Sequence, residues 1–160
     1  MPKKIYLSLG SNLGDRRKML KSALAALESP ELHVLRSSSV YETEPQNVKD
    51  QPWFLNQAVE AETTLFPAQL LARVKKLEVQ LGRKPSRAKG PRAIDIDILF
   101  YGNAVIQTKD LTIPHASLPE RRFVLEPLAE LVPSKKHPVS GRTVTEMLSK
   151  ISGQGATRIR

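Results

Sequence analysis

The sequence predicts an α+β fold, an antiparallel sheet with two helices laid on one face. Three observations carry this. Stretches that alternate apolar and polar residues are interrupted by two stretches with helical spacing. Pro, Gly, Asn and Asp cluster at the joins, where turns belong. The order is strand, helix, strand, strand, helix, strand, and then shorter elements.

Each element has its own reason. IYLSLG (5–10) alternates and reads as a strand, and SNLGD (11–15) as a turn-rich loop. Asp15 can cap a helix running to about Glu28, with Met19, Leu20, Ala23, Leu24 and Leu27 on one stripe. LHVLRSSSVYET (32–43) reads as the second strand. EPQNVKDQP (44–52) is a polar loop, and WFLNQAVEAETT (53–64) is the third strand. Pro67 starts a helix whose apolar face is Leu70, Leu71, Val74, Leu77 and Leu81, with Gly82 ending it. RKPSRAKGPR (83–92) is a basic Pro/Gly loop that feeds the fourth strand, AIDIDILF. YGN (101–103) turns into a short strand near Ala104–Thr108. Short helices are expected at about Phe123–Leu131 and Val144–Ile151, with a loose end after them. This β-α-β-β-α-β order is the ferredoxin-like pattern, which hosts many functions.

The 160 residues suffice for one domain with its own core, and the expected domain is 1–160. With no Cys there is neither a disulfide framework nor a thiolate metal site. The first residues have too short an apolar run for a signal peptide, and no stretch is long enough to span a membrane. A cytoplasmic location is expected. The formal charge of +9 suits an anionic partner, or is simply a solvated basic surface.

The chemistry concentrates in GPRAIDIDILFYG (90–102). Alternation puts Asp95 and Asp97 on one strand face and Ile94, Ile96 and Ile98 on the other. Side-by-side carboxylates repel and are costly to desolvate. Nearby cations such as Arg92 could neutralise them. Divalent metal could also do so, since Mg²⁺ accepts one or two carboxylates plus phosphate oxygens. The preceding loop carries Arg83, Lys84, Arg87, Lys89 and Arg92, which could grip a polyphosphate, contact nucleic acid or be a plain basic surface. Phe54 and Asn56 share a strand face. With Phe123 they could either pack a core or hold a flat heterocycle with a polar edge. Of the three histidines, His33 and His137 read as incidental, while His115 sits in a loop near Arg121 and Arg122. LGSNLGD (9–15) lacks the Lys-Ser/Thr of a phosphate-binding loop and reads as a tight turn.

Taken together, GSNLGD, VYETEP (40–45), DQPWFLNQAVE (50–60), LEVQLGR (77–83), GPRAIDIDILFYG and IPHASLPERRFVLEPLAEL (113–131) resemble one family, 6-hydroxymethyl-7,8-dihydropterin pyrophosphokinase, also called 2-amino-4-hydroxy-6-hydroxymethyldihydropteridine diphosphokinase. The resemblance runs from about Ile5 to Leu131. It implies a folate-pathway transferase that moves the β,γ-diphosphate of ATP onto a pterin alcohol and releases AMP, without a covalent intermediate. It implies two Mg²⁺ on Asp95 and Asp97. Arg83 and Arg92 would be catalytic and would hold the phosphates. Glu78, Ile98, Thr112, His115 and Arg121 would complete the ATP site. Thr43, Phe54, Asn56, Asp95 and Phe123 would bind the pterin. It also implies a monomer with no nucleic-acid or membrane partner. Lys89 and Ala116 stand where many relatives carry aromatics. Two other readings compete: a basic RNA-binding module of the same fold, whose strands would carry several exposed aromatics, and a palm-like nucleotidyltransferase.

Overall fold

The strand β1 (Lys3–Ser11) is the axis of the molecule. On one side it pairs with β4 (Phe54–Thr63), from Lys3↔Thr63 to Ser11↔Leu55. On the other it pairs with β5 (Asp95–Tyr101), from Ile5↔Tyr101 to Gly10↔Asp95. The far edge of β4 is shared by β2 (Leu32–Ser37) and β3 (Val40–Thr43), and every pairing is antiparallel. The strand order β5-β1-β4-β3 is that of the expected ferredoxin-like unit. The structure, a computed structural model, describes residues 2–43, 50–82, 93–151 and 156–159.

The helices α1 (Arg16–Leu27) and α2 (Pro67–Gln80) cover one face. Asp15 caps α1 as expected, its carboxylate accepting the Lys18 N–H at 3.1 Å. Their apolar stripes bury Leu20, Ala23, Leu27, Leu70, Val74 and Leu77 against Leu7, Leu9, Ile96 and Ile98. The opposite face is covered as well. There α3 (Arg122–Leu131) and α4 (Val144–Ser149) bury Val124, Leu125, Leu128, Val144 and Met147 against Tyr6, Ala58, Leu99 and Phe100. A register shift opposite Tyr6 and Leu7 brings both Leu99 and Phe100 into this second core.

Three expectations need correction. The second strand is two, because Ser38 holds β4 differently. Its N–H donates to Ala58 O and its hydroxyl accepts the Ala58 N–H, both at 2.9 Å. Four residues of the expected loose end are ordered into the sheet. Residues Ala156–Ile159 form β8, which pairs with β3 from Val40↔Ile159 to Thr43↔Ala156 and extends the sheet. The short strand near 104–108 shrinks to β6 (Ile106–Gln107), paired with β7 (Thr112–Ile113) in a separate ribbon.

Polar groups tie the second face together. Glu60, only 5% exposed, accepts the Tyr6 hydroxyl at 2.7 Å and both arms of Arg36 at 3.0 Å. Arg36 also donates to Leu131 O, at the last turn of α3. The Arg36 fork holds the Glu60 carboxyl below its usual range against the opposing effect of burial. Lys135, for which the sequence offers no role, places its ammonium 4.8 Å from the Phe100 ring centroid and 5.5 Å from that of Tyr6.

Candidate active site

β5 is an edge strand, so its outward backbone groups need partners from elsewhere. Glu78, on α2 and 5% exposed, supplies one: its Oε2 accepts the Ile96 N–H at 2.7 Å. Ile96 lies between the two aspartates, so this bond fixes the backbone from which both carboxylates project. Ile94, Ile96 and Ile98 are buried in the first core, and Asp95 and Asp97 are half-buried on the other face, as alternation predicts. His115 faces Asp97, with Nε2 3.8 Å from Oδ1. Its Nδ1 accepts the Ser117 N–H at 3.2 Å, which leaves the proton on Nε2, toward the carboxylate.

Beside this strand lies a cleft of about 400 Å³. It brings together Glu78, Asp95, Asp97, Ile98, Thr112 and His115. All six were named from sequence, though they come from α2, β5, β7 and the turn after β7. Leu71, Lys75, Asp110 and Ala116 also line it, and sequence reasoning did not select the first three. Leu71 reads as helix face, and Lys75 and Asp110 read as ordinary surface charge.

A second group lies across the sheet. Asp95 pairs with Gly10, Gly10 with Asn56, and Asn56 with Tyr41, so one row crosses four strands. The Asn56 side-chain amide donates to the Thr43 hydroxyl, and both side chains are buried. Gly10 belongs to β1, as the reading of residues 5–10 as a strand expects, and the strand runs one residue further, to Ser11. A Cβ there would stand 2.9 Å from Asn56 Oδ1 and 3.5 Å from Phe54 Cδ1. The missing side chain makes room for the amide and the ring. A glycine whose need comes from a neighbouring strand leaves no local signal.

Phe123 packs on the second core, and the Arg121 guanidinium lies 5.4 Å from its ring centroid. Arg121 is not among the cleft-lining residues described. Arg83 and Arg92, with Lys84, Arg87 and Lys89, lie outside the described residues. The segment before β4 is held from the β1–α1 connection. Asn12, 1% exposed, donates to Gln51 Oε1 at 2.7 Å and to Pro52 O at 3.0 Å.

An antiparallel sheet with helices on both faces defines an α+β protein, and the carboxylate-bearing cleft at one edge strand is its candidate site. The family profile described as 7,8-dihydro-6-hydroxymethylpterin-pyrophosphokinase (HPPK) matches residues 6–133, and the chain belongs to that family. It is 43% identical to the 2-amino-4-hydroxy-6-hydroxymethyldihydropteridine pyrophosphokinase of Methylorubrum extorquens, over 96% of this chain and 97% of that one. It is 44% identical to the folic acid synthesis protein fol1 of Schizosaccharomyces pombe, over 94% of this chain but 21% of the relative. The chain thus spans about a fifth of that longer protein. Among solved structures, wild-type HPPK-DHPS of Plasmodium falciparum with pteroate superposes with a TM-score of 0.77 at 18% identity, covering 94% of this chain and 42% of that one. This likeness bears on the fold. Among the described residues, no helix is long and apolar enough to cross a membrane.

Proposed function

We propose that this chain transfers the β,γ-diphosphate of ATP to the hydroxymethyl oxygen of 6-hydroxymethyl-7,8-dihydropterin, giving AMP and the pterin diphosphate, as a step of folate synthesis. One observation carries the reading: Asp95 belongs to two neighbourhoods at once. It lines the cleft of Glu78, Ile98, Thr112 and His115, and it stands in register with Gly10 and Asn56. Two strand spacings separate it from Asn56, about 10 Å, which is the scale of a two-ring heterocycle. An adenine nucleotide in the cleft and a pterin over Asn56 and Thr43 would therefore meet at the aspartates.

The donor set suits magnesium. Two adjacent, half-buried carboxylates offer hard oxygens, and Mg²⁺ takes one or two of these with substrate phosphates and water. Asp95 and Asp97 would hold two Mg²⁺. When bound, these ions neutralise phosphate charge and polarise the transferring group. The protein's own residues do the rest. Thr43 and Asn56 read the pterin edge, and Phe54 and Phe123 pack its faces. Ile98 and Thr112 lie along the adenine. Glu78 holds the β5 backbone, and His115 and Arg121 contact the phosphates. Arg83 and Arg92, from the segment of sequence before β5, would complete the charge neutralisation. In the reaction the pterin oxygen bonds to the β-phosphorus, the bond from that phosphorus to the α-phosphate oxygen breaks, and the hydroxyl proton is lost. Rate then comes from positioning and electrostatics.

The test is AMP release from ATP with and without the pterin. Wild type gives pterin-dependent AMP that EDTA abolishes. Asp95→Asn and Asp97→Asn each lower the rate on the order of 10²–10³-fold while remaining folded. ADP as product, or full activity in both variants, would refute the proposal.

A further inference from the structure

We propose that Arg16, the first residue of α1, is a positioning residue for pterin binding; this rests on the function proposed above. Its Nη1 donates to two acceptors, Glu42 Oε2 at 3.0 Å and Trp53 O at 2.8 Å. The two acceptors sit on the two sides of one open end. In the β3–β4 pairing the last partners are Glu42↔Leu55 and Thr43↔Phe54. Among the described residues the pairing goes no further. Glu42 is the neighbour of Thr43, and Trp53 is the neighbour of Phe54. One guanidinium nitrogen thus closes the mouth of the hairpin at the pair that would flank the pterin.

Helix formation does not explain an arginine here. The first turn of α1 carries Arg16, Arg17 and Lys18 and no acidic residue, although the helix N-terminus disfavours cations. The Arg16 side chain is 30% exposed and that of Glu42 is 38% exposed, so the pair is partly shielded from water. A charge-assisted bond to a backbone carbonyl holds main chain rather than a mobile side-chain tip. Deleting the clamp frees the residues on either side of it, Thr43 and Phe54, while the cleft of Glu78, Asp97 and His115 lies on other strands and helices.

The experiment compares wild type with Arg16→Ala, Arg16→Lys and Glu42→Gln. Arg16→Ala is expected to raise the pterin KM about tenfold, the effect of losing one good charge-assisted bond, with kcat and the ATP KM unchanged. Arg16→Lys, which keeps a donor, returns the pterin KM toward wild type. Glu42→Gln, which keeps an acceptor and the fold, gives a smaller rise. Trp53 is the only tryptophan, so its fluorescence reports the clamp without any turnover. Arg16→Ala should lower its anisotropy and expose it to acrylamide. An unchanged pterin KM overturns the proposal, and so does a parallel loss of kcat and of affinity for both substrates. If wild type makes no pterin-dependent AMP, the functional reading fails. The Trp53 anisotropy then still decides the clamp, and an unchanged value overturns it.

Discussion

Replacing Gly10 by alanine tests the geometry of the site most directly. The added Cβ would lie 2.9 Å from Asn56 Oδ1, about half an ångström inside the 3.4 Å at which ordinary contact begins. Asn56 has little room to yield. It is 3% exposed, its amide donates to the Thr43 hydroxyl, and Phe54 stands 3.5 Å from the same Cβ. Overpacking of this kind costs about 1–3 kcal/mol. If Asn56 turns away to relieve it, the bond to Thr43 is lost as well, about 1 kcal/mol more. A domain of this size loses roughly 2–4 °C of Tm per kcal/mol, so Gly10→Ala should melt about 2–16 °C lower. The pterin KM should rise at least about tenfold, because the displaced amide is the one proposed to read the pterin. Thermal melts and pterin-saturation kinetics measure both. Gly14→Ala is the control. Gly14 has a φ of 71° with open space around it, so alanine there meets only backbone strain of about 1–2 kcal/mol and leaves the pterin KM alone. If Gly10→Ala melts and binds pterin like wild type, the close approach of β1 to Asn56 and Phe54 is not what makes this glycine necessary.

Two further predictions concern buried carboxylates. Glu78→Ala strands the buried Ile96 N–H and should destabilise by about 1–3 kcal/mol, whereas Glu78→Gln keeps an acceptor and most of the stability; urea unfolding separates them. Glu60 has its pKa lowered in the folded state, so its contribution is present above its ordinary value of 4.5 and is lost as pH falls below it. Arg36→Ala removes the main cause of that lowering and should flatten the acid limb of a Tm-against-pH curve; an unchanged limb would place the acid sensitivity elsewhere. At the alkaline end the sign is opposite. Burial first, and then the hydrogen bond to Glu130, push the Tyr41 phenol up to about 12 from 10.0. Its stabilisation is complete below pH 10 and is lost as pH rises toward 12.

Much of the molecule is written in local pattern. Helical spacing and the Asp15 cap place α1 and α2, and strict alternation puts Asp95 and Asp97 on one face with isoleucines behind them. These features depend on residues a few positions apart, where the side-chain period and cap chemistry operate. The family motifs carried the six cleft residues, because a motif records long-range geometry that periodicity cannot express. What only the tertiary structure decided is long-range. A loose, basic chain end becomes β8 because β3 offers an unpaired edge beside it. Gly10 is required by Asn56, whose Cα partner it is across β1 and β4, although 46 positions of chain separate them. Arg16 draws its meaning from Glu42 and Trp53, which reach it only after the sheet has formed. Each of these residues is ordinary within its own stretch of chain. Its role comes from backbone and side-chain groups delivered by other strands, and local sequence carries no record of that delivery.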